Sequence, residues 1–443
     1  MKTFSIGGVH PADNKISCDA AIENFPIPET AYISMSQHLG APAEPIVAVG
    51  DKVKVGQLIA NASGFISAPV HSSVSGTVKA IETIKDLAGN PCKAVVITVE
   101  GDEWVDTIDR SDAIVKEIKL DSKEIIAKIQ ECGVVGLGGA TFPTNVKLSP
   151  PPGKKAEFLI INAAECEPYL TSDYRVLMEM PEQVLIGASI MMKALNVTQG
   201  FIGVEENKPK AIEKLNQYAS AYPQIKVVVL KKKYPQGGEK QLIDAVVGRR
   251  VPSMGLPIDT GAVVQNVGTA LAVYEAVQKN KPLFEGILTV TGHCSNVQKN
   301  YKHRVGTPIS KIIEVTGGIP ENAAKVISGG PMMGKAMANL DAPTLKGSSS
   351  VLFLTAEQTK RHEESNCIRC GKCIDACPMG LEPYILNKYS RAGRWDDLEA
   401  HKIYDCIECG CCQFTCPSYI YLLDSIRLAK ANVMKIMRSR PKK

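Results

Sequence analysis

At 443 residues, with 44% apolar and 22% charged side chains, the chain is too long for one hydrophobic core and too apolar to be disordered. At about 150 residues per domain it divides into three or four units. A formal charge of +5 is small for this length, and no nucleic-acid partner is expected. The longest apolar runs, Phe158 to Ile161 and Ile186 to Met192, fall far short of the ~20 residues a bilayer-spanning helix needs. The N-terminus, MKTFSIGGVHPADNK, lacks the apolar core of a secretory signal, so the cytoplasm is the expected compartment.

In chain order, residues 1–110 read as an N-terminal domain built on short strands between about 40 and 100, with Gly50-Asp51, Gly56, Ser63-Gly64, Gly76 and Gly89-Asn90 at turn-like intervals. GDKVKVGQLIA followed by APVHSSVSGTVKAIE resembles the biotinyl/lipoyl-carrier β-sandwich. The expected hairpin tip, Asn61 to Gly64, carries no lysine to acylate, so the unit reads as a docking or structural module, with His71 as a structural hydrogen-bonding residue. Residues 111–280 alternate helix and strand: an amphipathic helix to Cys132, strands at Phe158–Asn162, Gly200–Val204 and Lys226–Leu230, and helices at Pro181–Leu195, Lys208–Tyr218 and Glu239–Val247. That pattern predicts an α/β domain with a parallel, helix-covered sheet and a ligand crevice beyond the strand C-termini. Residues 281–354, with strands Gly286–Thr291 and Lys325–Ser328 around a helix Ile309–Val315, fit an SLBB-like β-grasp domain. Residues 355–443 form an α-helical ferredoxin domain. Its basic end, Arg427 to Lys443, holds seven Lys or Arg and no acid and reads as a solvated terminus, with contact to an acidic protein or anionic lipid as the alternative.

Two arrays, Cys367-Ile-Arg-Cys370-Gly-Lys-Cys373-Ile-Asp-Ala-Cys377-Pro and Cys406-Ile-Glu-Cys409-Gly-Cys-Cys412-Gln-Phe-Thr-Cys416-Pro, each fit C-x2-C-x2-C-x3-C-P. Three closely spaced thiolates curl round one [4Fe-4S] cubane, and the fourth points to the neighbouring cluster. Cys367, Cys370, Cys373 and Cys416 are thus assigned to one cluster, and Cys406, Cys409, Cys412 and Cys377 to the other. Structural zinc sites usually use two separated cysteine pairs, which disfavours zinc. Cys411 is off register and is not a ligand. With Cys18, Cys92, Cys132, Cys166 and Cys294 it is expected to be a buried small hydrophobe, and no cysteine is assigned to a disulfide.

Clusters need an electron source, and the α/β domain is the place for one. Its loop Gly133-Val-Val-Gly136-Leu-Gly138-Gly139-Ala-Thr-Phe-Pro-Thr144 can bring backbone N–H groups close to a phosphate or a flavin ring, though by itself it is as readily a plain turn. Four ordered segments resemble the NADH-binding flavoprotein subunit of respiratory complex I: Gly138 to Thr144 with Lys147, then Asn162-Ala-Ala-Glu165-Cys-Glu167-Pro168, then Tyr234-Pro-Gln-Gly237-Gly238-Glu239, then Gln265-Asn266-Val-Gly-Thr269. The resemblance implies a non-covalent FMN lined by Gly136, Gly138, Gly139, Asn162, Glu165, Tyr234, Gly237, Gln265 and Asn266, with Lys147 beside it. Glu167 binds and orients, and Glu239 lies near the nicotinamide nucleotide. The chain departs from that family at Val135 and Leu137, which replace arginines, at Ala164, which replaces an Asp, and at Gly238, which replaces a Glu.

GGVHPADNK (Gly7 to Lys15), APVHSSVSGTVKAIE (Ala68 to Glu82), NAAECEPYLTSDYR (Asn162 to Arg175) and the paired cluster motifs together resemble the RnfC family, one of the subunits of the Rnf electron transport complex, over the whole chain. This implies a peripheral subunit on the cytoplasmic side of the bacterial membrane. Its partners would be NAD(H), the membrane subunits and a ferredoxin-type subunit. It would pass electrons between NAD(H), FMN and two [4Fe-4S] clusters, in a complex that couples ferredoxin and NAD to Na+ or H+ transport. Two rival readings are a soluble NADH-dependent corrinoid reductase and a non-enzymatic iron-sulfur adaptor.

Overall fold

The computed structural model describes residues 1–440, so Lys442 and Lys443 of the basic terminal run lie outside the described residues. In the N-terminal unit, strands Thr30–Ser34, Pro91–Val99, Gly76–Lys85 and Lys52–Val53 pair antiparallel in that spatial order, and Glu44–Pro45, Leu58–Asn61 and Val70–His71 form a second sheet. Alternation drives this: Ala31 and Ile33 turn inward from one sheet, Ile59 and Val70 from the other, and they share one core with Val78 and Ile97. His71 is buried, but its Nδ1 has no partner among the described residues, and burial lowers its pKa to about 3. The ring therefore packs as a neutral group and does not make the hydrogen bond expected at that atom.

Within the N-terminal unit the first 24 residues lie outside the two sheets of the sandwich. Lys2 bridges Leu230 at the edge of the central sheet, Val9 pairs with Tyr234, and Ile22–Asn24 adds a parallel strand to the third domain. The physical reason is local. Gly7 and Gly8 adopt left-handed backbone, so the chain around them forms no strand and satisfies N–H groups on neighbouring units.

The central sheet is fully parallel, ordered Ile225–Leu230, Gln199–Glu205, Phe158–Ala163, Ala262–Asn266. Its strands are near-continuous apolar runs, as strands covered on both faces must be. Helices Pro181–Leu195 and Val267–Lys279 cover one face and approach so closely that a Cβ on Gly187 would lie 1.9 Å from the Ala270 carbonyl oxygen. Helix Glu239–Val247 covers the other, packing Leu242, Ile243 and Val246 on Ile160 and Val264. Chain order reverses between Phe158–Ala163 and Ala262–Asn266, which makes their C-terminal ends the topological switch point. The Ala262–Asn266 strand and the helix after it are additions to the elements that periodicity predicts.

The third domain is a six-stranded sheet ordered Ile22–Asn24, Lys299–Arg304, Glu285–Thr291, Ser350–Thr355, Ala323–Ser328, Lys335–Ala336, with helix Ile309–Val315. In the ferredoxin domain the segment expected to be helical from Glu382 to Ala400 is two helices, Pro383–Arg391 and Trp395–Ala400, parted at Gly393 with φ +64°. Helix Leu422–Ser439 closes the domain over Leu386, Leu398 and Ile403. Among the described residues no helix is long and apolar enough to cross a membrane.

Candidate functional site

At the switch point Asn162 and Asn266 sit side by side in register at the ends of their strands. The Gly-rich loop crosses above them: Leu137 N–H donates to Thr269 Oγ1 at 2.9 Å, and a Cβ on Gly138 would lie 2.7 Å from Asn266 Nδ2. Gly138 is therefore required by close approach. In this loop positive φ falls on Gly133 and Thr141, and Gly139 faces open space. Asn162 donates to the Gly237 carbonyl at 2.8 Å, which brings the turn after Ile225–Leu230 to the same crevice. Gln265, 2% exposed, has no partner for Nε2, and Thr144 Oγ1 is likewise buried and unpaired among the described residues. Unpaired buried donors beside an open, glycine-walled crevice fit a polar planar ring such as a flavin. Lys147 and Glu239 form a half-exposed ion pair at 2.5 Å beside it.

The loop from Asn162 to Leu170 is shaped by Lys15. Its buried ammonium donates to the carbonyls of Glu165, Glu167 and Leu170 at 2.7, 2.9 and 2.5 Å, and burial pushes its pKa down. Glu165, at φ +43°, turns its carboxylate onto the N-terminus of helix Ser172–Glu179, accepting from Asp173 N–H at 2.7 Å and Tyr174 N–H at 3.3 Å. It caps a helix, where one carboxylate complements the dipole. Asp173 lies in the Asn162 to Arg175 segment, whose resemblance does not single it out as a site residue: it is half-buried, and its Oδ2 accepts from Asn266 Nδ2 at 2.6 Å. Burial first, and the neighbouring Glu165 charge second, raise its pKa to about 7.

Tyr234, expected to line FMN, and Glu167, expected to bind and orient, both make contacts outside the α/β domain. Tyr234 is 2% exposed, packed among Val9, Ala376, Cys409 and Cys411, and its hydroxyl donates to the Cys409 carbonyl at 2.9 Å. The Glu167 carboxylate accepts from Met332 and Met333 N–H at 3.1 and 2.8 Å, and burial raises its pKa. The Tyr234 hydroxyl thus reaches the second cysteine array, while the residue also borders a small cavity lined by Lys15, Cys166 and Glu205, and Glu167 ties the Asn162 to Leu170 loop to the third domain.

That array gathers around an apolar cavity. Cys406, Cys409 and Cys412 line it together with Cys377, from the first array, and with Leu381, Leu386, Leu423 and Ile426. A soft thiolate set of this composition fits a [4Fe-4S] cluster with crossed ligation. Cys377 and Cys409 are buried, whereas Cys367 and Cys370 are exposed, so the second array is the inner one. Gln241 Nε2 donates to the Pro378 carbonyl at 3.1 Å, and Met254 N–H to Asp405 at 3.0 Å, fixing both arrays to the α/β domain. Of the six cysteines outside the ligand sets, Cys132 and Cys411 are buried as expected, but Cys18, Cys92, Cys166 and Cys294 are only half-buried. All are free thiols. Burial pushes Cys132 and Cys166 up to about 12.

Family models match the chain unit by unit: an RnfC barrel sandwich hybrid domain over residues 2–102, a Nuo51 FMN-binding domain over 129–275, an SLBB domain over 287–336 and a 4Fe-4S dicluster domain over 363–420. The class is that of flavin- and cluster-binding electron-transfer proteins, with an FMN-type α/β domain wired to a two-cluster ferredoxin domain. The chain is 48% identical over 87% of its length, and 84% of the relative's, to a subunit of the proton-translocating ferredoxin:NAD(+) oxidoreductase complex of Clostridium ljungdahlii. It is 45% identical to the matching subunit of the Na(+)-translocating complex of Acetobacterium woodii, over 97% of this chain and 96% of that one. It therefore belongs to the RnfC family, whose members are subunits of ion-translocating ferredoxin:NAD+ oxidoreductase complexes. Among solved structures, an NAD+-reducing [NiFe]-hydrogenase overlays on 73% of this chain, covering 68% of that one, at 17% identity and a TM-score of 0.48.

Proposed function

We propose that the chain is the NAD(H)-linked electron-transfer subunit of a ferredoxin:NAD+ oxidoreductase complex that transports Na+ or H+. It docks peripherally on membrane subunits at the cytoplasmic side and exchanges electrons with a ferredoxin-type subunit. One observation carries this reading. The switch-point crevice and the inner cysteine array share one rigid wall, because the residue that opens the Tyr234–Glu239 turn holds the Cys409 carbonyl while the turn's Gly237 holds Asn162.

FMN, bound at this crevice, supplies the exchange of a two-electron hydride with NAD(H) for single electrons, which the clusters relay. The chain's residues hold and orient. Gly138 and Gly139 leave room for the ring, Asn162, Gln265 and Asn266 offer polar contacts from the strand ends, and Lys147 with Glu239 orients the nucleotide. Cys377, Cys406, Cys409 and Cys412 hold the inner cluster. Cys367, Cys370, Cys373 and Cys416 hold the outer one, whose exposed Cys367 and Cys370 suit exchange with a partner. No side-chain acid or base is required.

Anaerobic isolation with iron, sulfide and flavin analysis and an NADH titration tests this reading. The expected result is about eight irons per chain, non-covalent FMN and clusters reduced by NADH. Clusters that stay oxidised would sink it. Flavin-dependent reduction of cob(III)alamin by the isolated chain would instead favour the corrinoid reading, against which the family membership argues. Glu239→Ala is expected to weaken NADH use by about tenfold while FMN is retained, read from KM and from flavin fluorescence. Equal loss of both would remove Glu239 from the nucleotide.

A further inference from the structure

Tyr234 and Glu167 meet at a point where three domains touch. Tyr234 follows the edge strand Ile225–Leu230 of the central sheet and is fixed by its own backbone, which exchanges hydrogen bonds with Val9 at 2.8 and 2.9 Å. Its single hydroxyl proton goes to the Cys409 carbonyl at 2.9 Å, and Glu167 Oε1 lies 3.4 Å from the Tyr234 hydroxyl oxygen. Glu167 takes both N–H groups of Met332 and Met333 from the SLBB-like domain. The turn they sit in has no room to spare: a Cβ on Gly330 would lie 2.0 Å from Glu167 Oε2, and one on Gly410 would lie 3.2 Å from the Met332 carbonyl.

A structural anchor for a domain contact needs neither a buried carboxylate nor a phenol at a cluster ligand. Burying a carboxylate is costly unless its hydrogen bonds are made, and apolar packing serves an interface as well. Here the Tyr234 hydroxyl is placed on the carbonyl of an inner-array cysteine, with Glu167 beside that hydroxyl, and the peptide it holds sets the direction of the backbone around the metal site. Resting on the functional reading above, we propose that Tyr234 and Glu167 are positioning residues for electron transfer: they fix the Cys409 peptide against the α/β domain and thereby set the potential of the inner cluster.

Tyr234→Phe removes only the hydroxyl. In the full chain, prepared anaerobically, iron and FMN contents are expected to match wild type. A mediator titration with a chemical reductant should show the inner cluster's reduction equilibrium displaced by about two- to tenfold, as loss of one hydrogen bond implies, together with a changed paramagnetic resonance signal. The outer cluster should be unmoved. Glu167→Gln, which keeps one acceptor oxygen, should displace the same cluster less than Tyr234→Phe, and the double variant should fall short of the sum. Selective loss of the inner cluster in either variant also supports the positioning role. An unchanged inner-cluster potential and spectrum, weaker FMN binding with normal clusters, or loss of both clusters together would each overturn it. The titration needs no NADH, so it stands apart from the functional reading, which fails instead if the wild-type clusters ignore NADH.

Discussion

Asp173 carries the charge that the crevice tolerates least. It is half-buried beside Glu165 and bonded to Asn266, and desolvation raises its pKa from 3.8 to about 7. Between those values the folded chain keeps a proton that the unfolded chain has released, so stability falls as pH rises through that window and levels off above it. Asp173→Asn keeps an oxygen for the Asn266 amide and removes the titration. Urea denaturation from pH 4 to 8 is expected to show wild type losing stability relative to the variant, and parallel curves would mean that the carboxyl is hydrated. At this scale the sequence is half legible. Asn162, Gln265 and Asn266 announce themselves because each closes a strand in a recognisable motif. Asp173 and Lys15 lie in family segments too, but their roles stay hidden, because their partners lie 93 and 150 residues away and only the fold joins them.

Among the elements, the N-terminal glycine segment does more than its length suggests. Gly7 sits at φ +66°, and a Cβ there would lie 2.4 Å from the Cys377 carbonyl carbon and oxygen, while Gly8 N–H donates to Ala376 at 2.9 Å. Gly7→Ala is expected to cost at least about 1–3 kcal/mol from backbone strain alone and to loosen the ferredoxin domain. A lower melting temperature with loss of inner-cluster iron would record it, and an unchanged iron content would show that the segment yields freely. Cys377→Ser addresses the crossed ligation directly. It should alter the resonance of the cluster whose other ligands follow residue 400, and a change confined to the first array's cluster would refute the crossing. The periodic helices Pro181–Leu195 and Glu239–Val247 are readable to the residue, since an apolar stripe dictates them. The strand Lys299–Arg304, with the sequence KNYKHR, is not. Its buried Asn300 bonds to the Ser17 and Ala20 carbonyls and its Arg304 to the Ser73 carbonyl and Asp102, so its interior face is polar and gives no hydrophobic signal.

The four units cohere around buried polar knots, and composition does not disclose these. Lys346 forms one. It is 2% exposed, its ammonium donates to the Pro69 carbonyl of the sandwich at 3.0 Å and to the Gly133 carbonyl of the α/β domain at 2.7 Å, and its backbone N–H donates to Gln37 Oε1 at 3.0 Å. Gly133 must be glycine here, since a Cβ would lie 2.4 Å from the Pro69 oxygen. Burial lowers the Lys346 pKa to about 7. A neutral amine still has two N–H groups, so both carbonyls remain bonded when the proton leaves. Between pH 7 and 10.5 the unfolded chain holds a proton that the folded chain has lost, and stability from this group rises with pH across that window. Lys346→Met strands both carbonyls at a cost of about 1–3 kcal/mol each and abolishes the rise. Thermal unfolding of both proteins, anaerobically from pH 7 to 10, should therefore show wild type pulling further ahead as pH increases. A constant gap would mean that the ammonium stays charged and hydrated, and that the junction of the sandwich, α/β and SLBB-like domains is wetter than its packing implies.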